Sequence, residues 1–543
     1  MRGLNMTVLR RILICLIIGV VCGLSLGGGI IELDVPLVDT PHDPESTLSK
    51  TELAERRERQ GRVNRLHVRM LRRFKQKRYD KARDLAARIV RLIPSDGTAL
   101  YNLACAHARL SETDEAIETL RRAVDRGFVE MRHMEHDPDL ASLRGLDAFA
   151  QILAQRDTIQ RERAERIRRE LRRRFGAGYL ITIDHDNRLV FATDTDRETL
   201  NGLRDDLTER AAALRRQLFV HPPEQYVTII IPQPGTIKLG RIGGVFRRTD
   251  ATIVARRVGM TCRHEFTHAL HFADMEARAQ RHPIWILEGF ATLFETADLD
   301  GDRLRPTAND RLNALKFFLA RDRLKPLATL LEIEQTGFMK APAVCYAMSR
   351  YLLMYLHAEG KLQDWYRTYT AGYDDDSTGR LALETVLGKD LGVIEADWHE
   401  WIRRLPRPAT RVHTNQPYMG VAISPVTEGL QIERVVPGSG AEKAGLRGGD
   451  LIVRVAGRQL ADGTELIRFV TSREVGDAVQ IRYRRSGRYA TVRVKLQAKP
   501  SRLPRRKVVE PDVVPSDERG ALPTAPRRRP PLPNPSLPPR RAA

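Results

Sequence analysis

A pair of histidines four residues apart constrains the fold of this chain more than any other feature. Residues 264–268 read His-Glu-Phe-Thr-His, so on an α-helix His264 and His268 lie one turn apart on the same face. Two imidazoles in that position can reach one metal ion, and Glu265 lies beside them, where its carboxylate can hold a water molecule. The pattern therefore predicts a half-buried helix that carries a metal site. The alternative is a surface helix with two solvated histidines.

A second apolar segment supplies a third ligand. A catalytic zinc ion usually has three protein ligands and one open position for water. Residues 285–295 form an apolar, helix-favouring run, and Glu288 lies within it. Because a buried carboxylate needs a partner, we predict that Glu288 completes a Zn²⁺ site and that Glu265 is the general base. His271 is predicted to pack or to support the site, since a fourth protein ligand would exclude water.

The stretch from Gly243 to Glu295 resembles the gluzincin metallopeptidases, in which HExxH and a downstream glutamate bind zinc. It is closest to the peptidase-MA-like domains of bacterial secreted proteins. It lacks the GxMEN motif of the M1 aminopeptidases, and Leu287 stands where that family usually has asparagine. The resemblance implies a two-lobed zincin domain over residues 179–405, with sheet elements before the HExxH helix and helices after it.

The resemblance also implies supporting residues. Tyr346 is the candidate for stabilising the oxyanion, although Tyr351 and Tyr355 lie on the same apolar helix and packing is an equal alternative for all three. Thr292 occupies the position where thermolysin-like enzymes have an aspartate, so Glu295 is the candidate for orienting a histidine ligand. The expected reaction is hydrolysis of a peptide bond by zinc-bound water, with zinc and one donor stabilising the oxyanion.

A glycine-rich pattern of short strands follows a linker at residues 406–415. Residues 416–497 resemble a PDZ domain of the kind associated with bacterial proteases, through motifs such as Val435-Val-Pro-Gly-Ser-Gly and Gly448-Gly-Asp-Leu-Ile. The resemblance implies a small β-sandwich or barrel with a loop that captures the carboxyl terminus of a peptide. That loop is predicted to be Tyr418, Met419, Gly420 and Val421. The alternative is a domain that packs against its neighbour and binds no peptide.

The N-terminal part has helical periodicity with a repeat of 34 residues. Ala82 and Ala116 end two similar motifs, and Pro94 stands where one helix must stop. This pattern resembles tetratricopeptide (TPR) repeats over residues 61–155, with too few copies for a free solenoid. A charged helix over residues 156–178 is predicted to connect this unit to the next domain.

Basic residues precede an apolar run at the N-terminus, as in a secretory signal. The run extends from Ile12 to Leu26 or Ile31, which approaches the ~20 residues needed to span a bilayer. Residues 1–31 are therefore either a signal peptide or an uncleaved signal anchor, followed by a linker at 32–60. We expect an exported protein, periplasmic or extracellular, or anchored to the membrane by this segment.

Length, net charge and cysteine content limit the remaining interpretations of the fold and its partners. A chain of 543 residues is too long for one core, which predicts a multidomain α+β protein. The net charge of +21 is spread over helices and a Pro- and Arg-rich tail at 499–543, which is predicted to be disordered. Without a recognisable binding motif, a nucleic-acid partner is not expected. Outside the targeting segment, the odd set Cys105, Cys262 and Cys345 predicts no disulfide framework. The Asp298–Asp302 run is predicted to be an acidic turn rather than a calcium loop.

Together these features predict an exported zinc metallopeptidase, an endopeptidase with protein or peptide substrates, and leave the exopeptidase mode open. Its PDZ and TPR-like modules would select or position those substrates, and the PDZ domain would take a C-terminal peptide. The alternative is a non-catalytic envelope scaffold that binds peptides on a protease-like fold. A basic polyanion binder is a third, weaker interpretation.

Overall fold

The computed structural model describes residues 50–237, 239, 242–460 and 462–502. Over this part of the chain the protein is a mixed α and β structure, with many helices and a small β domain near its C-terminal end. The predicted targeting segment at 1–31, most of the linker and nearly all of the tail lie outside the described residues. The helix that follows the predicted linker begins at Lys50. Among the described helices, none is long and apolar enough to cross a membrane.

The N-terminal unit is a succession of paired helices. The alanines at the helix contacts, Ala82, Ala104 and Ala116, are fully buried and let the helices approach closely. The assignment to a repeat family stays a prediction. The helices are α1 (Lys50–Lys75), α2 (Tyr79–Leu92), α3 (Gly97–Arg109), α4 (Thr113–Asp125), α5 (Met131–His136), α6 (Asp147–Ala154) and the connecting α7 (Arg156–Phe175).

The central domain begins with a five-stranded sheet of order β1-β2-β3-β5-β4. Strands β2 and β3 are buried along their whole length, which is why they read as continuous apolar runs. The pairs β2–β3 and β3–β5 are parallel, whereas β1 and β4 are antiparallel edge strands. The elements are β1 (Leu180–Asp184), β2 (Leu189–Thr193), α8 (Arg197–Gln217), β3 (Val227–Ile231), β4 (Gly244–Arg247) and β5 (Thr252–Ala255).

The second half of the central domain is helical and shares one apolar core with the sheet. Trp285, Trp365 and Trp398 are fully buried in it. A short hairpin, β6 (Asp298–Asp300) and β7 (Arg303–Arg305), forms at the predicted acidic turn. The helices are α9 (Met260–Ala277), α10 (Ile284–Phe294), α11 (Arg311–Leu319), α12 (Leu327–Leu331), α13 (Gln335–Phe338), α14 (Pro342–Ala358), α15 (Leu362–Ala371), α16 (Arg380–Leu387) and α17 (Leu391–Arg404).

The C-terminal β domain has a separate apolar core and a five-stranded antiparallel sheet of order β13-β12-β11-β10-β9. Strand β9 is therefore an edge strand, and helix α19 lies beside it across a groove. The elements are β8 (Pro417–Tyr418), β9 (Val421–Val426), β10 (Gly429–Val435), α18 (Gly440–Lys443), β11 (Leu451–Val455), α19 (Gly463–Thr471), β12 (Ala478–Arg485), β13 (Arg488–Lys495) and β14 (Gln497–Ala498).

Arginines fix the β domain onto the central domain. Arg482 donates two hydrogen bonds to Glu198 at the start of α8, at 2.5 and 2.9 Å. Arg484 and Tyr489 both hydrogen-bond to Asp196, which caps the same helix. Such bidentate and shared contacts define one orientation of the two domains more strongly than single surface ion pairs would.

Candidate functional site

Helices α9 and α10 bring the predicted ligands together. The Nε2 atoms of His264 and His268 lie 3.4 and 3.6 Å from the same carboxylate oxygen of Glu288. One ligand atom from each of the three residues lies within 4.8 Å of the others. Since α10 is buried throughout, Glu288 enters the cluster from an apolar helix without access to bulk water.

The cluster fits a small divalent cation. Four ligands at about 2.1 Å from one ion are separated by about 3.4 Å in a tetrahedral arrangement, which matches the two separations above. Both carboxylate oxygens of Glu288 are buried, and the two histidine nitrogens approach one of them only at 3.4 and 3.6 Å. Burying a carboxylate without close partners is costly, so these oxygens are suited to a cation. Burial would raise the pKa of Glu288, but the positive charge of His268 and hydrogen bonds from His264 and His268 lower it to about 2.

Glu295 lies on the other side of His264. The Nδ1–H of His264 donates to Glu295 at 3.0 Å, which leaves its Nε2 directed at Glu288. Burial would lower the pKa of His264, but hydrogen bonds to Glu288 and Glu295 raise it to about 10. The predicted contact between Glu295 and a histidine is therefore present in the structure, and it involves His264. By contrast, Nδ1 of His268 is buried and has no hydrogen-bond partner among the described residues.

Glu265 is buried on α9 and lies against edge strand β4. Its carboxylate accepts a hydrogen bond from the backbone of Phe246, and burial raises its pKa. Strand β4 approaches α9 very closely at Gly244. A Cβ atom there would lie 2.7 Å from Cγ2 of Thr261 and 3.2 Å from Cγ of Glu265. A carboxylate with a raised pKa beside a cavity is the type of group that accepts a proton in catalysis.

Tyr346 lines the same cavity, as predicted for a donor to the oxyanion. Burial and the nearby charge of Glu288 raise the pKa of its phenol, so it stays protonated. The guanidinium of Arg311 lies 5.4 Å from its ring centroid. Tyr351 is placed differently, since its hydroxyl accepts a hydrogen bond from the backbone of Asn309 in the core.

Two further residues considered in the sequence, His271 and Thr292, have hydrogen-bond partners in the protein interior. His271 is fully buried, hydrogen-bonds to His282 at 2.8 Å and stacks on Phe219. These contacts place it in the interior, and its packing role stays a prediction. The hydroxyl of Thr292 donates to the backbone carbonyl of Glu288, one turn earlier in the same helix.

Sequence reasoning missed two charged groups near the site. Arg311 pairs with Glu295 at 3.3 Å, about 16 residues away along the chain. Arg263, directly before His264, donates to both carboxylate oxygens of Asp206 on α8 at 2.8 and 3.0 Å. The local signal for both was weak, since each is one arginine in a chain with 90 lysines and arginines.

The cluster opens into a cleft of about 240 Å³. Histidine, glutamate, arginine and tyrosine side chains line it together with strand β4, and no serine is among its lining residues. The lining residues are Ile242, Gly243, Gly244, Val245, Phe246, Met260, Thr261, His264, Glu265, His268, Glu288, Glu295, Arg311 and Tyr346. The arrangement combines a cation-binding triad, a proton acceptor and a phenolic donor in one cavity.

A second, larger cavity of about 650 Å³ lies between β9 and α19. The four residues of the predicted carboxylate-binding loop are among its lining residues. Gly420 has φ of 89°, and a Cβ atom there would lie 2.2 Å from Cβ of Ser439, so the loop requires glycine. The carbonyls of Met419 and Gly420 accept hydrogen bonds from the backbone of Ala441 and Val436, which fixes the loop at the groove.

Comparison with known proteins identifies the C-terminal domain. The family model described as PDZ domain matches residues 417–496. "Serine protease Do-like HtrA" of Bacillus subtilis is 34% identical over 82 residues, which are 15% of this chain and 18% of that protein. "Probable periplasmic serine endoprotease DegP-like" of Marinomonas is 37% identical over 75 residues, 14% of this chain and 16% of that protein. The chain thus spans less than a fifth of the length of these relatives.

Solved structures give only short matches. The PDZ domain of HtrA3 bound to a phage-derived ligand is 24% identical and covers 15% of this chain and 86% of that one, with a TM-score of 0.14. The serine endoprotease from Yersinia pestis is 20% identical and covers 20% of this chain and 36% of that one, with a TM-score of 0.14.

These comparisons correct the predicted enzyme class. The matched relatives are named serine proteases, which contradicts the predicted zinc metallopeptidase, its Zn²⁺ cofactor and its description as a metalloprotease. The matches are to serine proteases and not to gluzincins, so the gluzincin resemblance gains no support from them. Each of these matches to curated relatives covers 13–15% of the chain. What they support in common with the earlier prediction is a PDZ domain over residues 417–496.

Proposed function

We propose that this chain is an exported protease that binds polypeptides through its PDZ domain and hydrolyses them at the histidine–glutamate cleft. Export is supported by the basic and apolar N-terminal sequence and by relatives whose names describe periplasmic proteases. Substrate binding is supported by the PDZ groove, because PDZ domains bind peptide termini by strand addition. The observation that carries the proposal is the buried Glu265 beside the two histidines.

The proposed role of Glu265 is to accept a proton from water. Burial raises the pKa of its carboxyl group, which brings its basicity closer to neutral pH. The donated backbone hydrogen bond from Phe246 fixes the carboxylate at the cleft wall. After attack of the water on the scissile carbonyl, the same carboxyl group can pass the proton to the departing amine.

Tyr346 is proposed to donate its phenolic hydrogen to the oxyanion. The raised pKa keeps that hydrogen on the oxygen at neutral pH, as a donor requires. Arg311 next to its ring limits the orientations of the phenol and also holds Glu295. Glu295 in turn orients His264.

His264, His268 and Glu288 are proposed to hold a divalent cation, as their separations permit. Histidine and carboxylate ligands accept several first-row divalent metals, so the ligand set does not specify one of them.

The proposal can be tested with the full chain and Glu265→Gln. We expect wild type to cleave an unfolded protein such as casein, and the variant to be slower by a factor of about 10² to 10⁴, the usual contribution of general acid–base catalysis. Glu276→Gln is the matched control, since Glu276 is on the same helix but its side chain is 56% exposed and is not among the residues that line the cleft. It should retain wild-type activity.

One reagent and one measurement distinguish a serine nucleophile from a cation-binding cleft. A fluorophosphonate labels activated serines, and metal analysis measures bound cations of any kind. We expect no fluorophosphonate inhibition and a cation content that His268→Ala lowers. Full activity of Glu265→Gln together with fluorophosphonate inhibition would instead place a serine nucleophile outside this cleft and overturn the proposal.

A further inference from the structure

The PDZ groove and the cleft share a wall. Met260 and Thr261, in the first turn of α9, line both cavities. The residues just before them, Arg257 and Val258, line the groove, and His264, one turn later, lines the cleft. The groove therefore ends beside the entrance to the cleft, at the N-terminal end of the helix that carries the histidines.

The direction of a bound peptide follows from the position of the loop. The carboxylate-binding loop precedes β9, so a peptide whose carboxyl terminus lies in it must run along β9 away from the loop. The far end of β9 is fixed to the central domain, since the backbone N–H of Val258 donates to the carbonyl of Thr427 at 3.0 Å. The upstream part of the peptide consequently leaves the groove at Val258, towards Met260 and Thr261.

Two edge strands extend along this path. Strand β9 is at the edge of the PDZ sheet, and β4 is at the edge of the central sheet and lines the cleft. Each can pair its free edge with an extended chain. Strand β9 has six residues, which span about 20 Å. Val258, at the far end of β9, is three residues from Ala255, which pairs with Gly244 of β4, so about four more extended residues reach β4.

The charge of the groove indicates the chemistry of its occupant. Four cationic residues line it against one carboxylate, Asp462. Arg411 and Arg434 are exposed and form no ion pair with any other described residue. An acidic segment upstream of the terminal carboxylate complements these charges. The cationic residues are Arg257, Arg411, Arg434 and Lys499.

We propose that the groove and the cleft bind one polypeptide together, with its carboxyl terminus at the loop of residues 418–421 and the segment about ten residues upstream in the cleft. The groove would thereby set the position of cleavage by its distance from the carboxyl terminus, with a preference for acidic termini. This inference rests on the proposed protease function for its cleavage step, but the binding geometry can be measured without catalysis.

The binding geometry is tested by photo-crosslinking to full-length Glu265→Gln. The probe is an acidic peptide of about 20 residues with a free carboxyl terminus and benzophenone at one position at a time. We expect positions near the terminus to crosslink to β9 and α19, and positions about ten residues upstream to crosslink to residues 243–261. Crosslinks from upstream positions that fall outside the cleft, or an absence of crosslinks to the groove, would overturn the proposal.

The charge of the groove and the carboxyl terminus of the peptide are then varied. Arg411→Glu with Arg434→Glu, or amidation of the peptide terminus, should weaken peptide binding at least fivefold in fluorescence anisotropy. Arg493→Glu is the matched control, because Arg493 is an exposed arginine on β13 at the opposite edge of the same sheet, and it should bind as wild type does. Equal weakening in this control would mean that net charge alone attracts the peptide and would overturn the role of the groove.

Cleavage supplies an independent readout. In wild type, lengthening the peptide at its carboxyl terminus should move the cleaved bond by the same number of residues, as mapped by mass spectrometry. Cleavage that stays at the original bond would contradict the proposal. If wild type cleaves nothing while the crosslinks fall as expected, the protease function fails and the shared binding path remains.

Discussion

The cleft and the PDZ groove are adjacent cavities with opposite construction. The cleft is small, and its chemistry depends on side chains buried in helices, above all His264, Glu265 and Glu288. The groove is more than twice as large, and its loop is defined by backbone conformation and by glycine at position 420. One cavity therefore depends on the identity of a few titratable groups, and the other on strand geometry. Single substitutions should affect the cleft sharply and the groove gradually.

The largest expected effect comes from Asp206, which supports both cavities. It binds Arg263 and Arg210, and Arg263 also donates to the carbonyl of Gln459 in the PDZ domain at 3.1 Å. Asp206→Asn leaves two buried arginines without their counter-charge and should lower the free energy of unfolding by about 3–5 kcal/mol. Denaturant titration of the variant against Asp205→Asn, its exposed neighbour, measures this effect. A loss below about 1 kcal/mol would contradict the account.

The carboxylate of Asp206 should also make the free energy of unfolding depend on pH. Despite its burial, the charges of Arg263 and Arg210 lower the pKa of Asp206 from 3.8 to about 2. Its stabilisation is therefore complete above about pH 4 and is lost as the pH falls towards 2, with a total of roughly 2 kcal/mol. The difference in unfolding free energy between wild type and Asp206→Asn should shrink over this interval. A constant difference would show that the charge of Asp206 is not responsible.

An intermediate effect is expected from Glu295→Gln, which should alter the cleft alone. Removing the charged acceptor of His264 weakens the orientation of that ring, and such changes typically lower metal affinity 10- to 100-fold. Titration with Co²⁺, followed by its visible absorption, measures the affinity. Peptide binding to the groove serves as the internal control and should not change. A parallel loss of both would indicate a general loss of structure.

The smallest effect is expected from Ile467→Ala, which should alter the groove alone. Ile467 is half-buried on α19 and lines the groove, so its truncation removes apolar contact worth about 1 kcal/mol, or about fivefold in peptide affinity. Val475→Ala is the control, since Val475 is 51% exposed on the same domain and does not line the groove. Fluorescence anisotropy with the acidic peptide distinguishes the two. A change in Co²⁺ affinity would contradict the separation of the cavities.

Sequence patterns predicted local features well because they depend on short spacings. The period of the helix places His264 and His268 on one face, and the apolar run around Glu288 predicts a buried helix. The glycines of the PDZ motif are tied to backbone conformations that no other residue adopts easily, and the matched family agrees there.

Contacts between distant residues could not be predicted in this way. Asp196 and Tyr489 are separated by 293 residues, and nothing in either neighbourhood indicates their hydrogen bond. The same holds for Asp206 and Arg263, since isolated charged residues are common in this chain. The enzyme class predicted from HExxH was contradicted by the named relatives, and a motif of five residues does not determine a reaction by itself.

The contacts of Arg482 and Arg484 with helix α8 have a consequence for anyone who engineers this protein. A PDZ domain transplanted from another protease would bring its own groove but neither these arginines nor Tyr489, so the side-chain contacts that orient the domain on α8 would be lost. Its groove would then lose its registration with the N-terminal end of α9. The orientation of the PDZ domain thus depends on residues of this particular chain. Chimeras should therefore be built by exchanging groove residues within this PDZ domain.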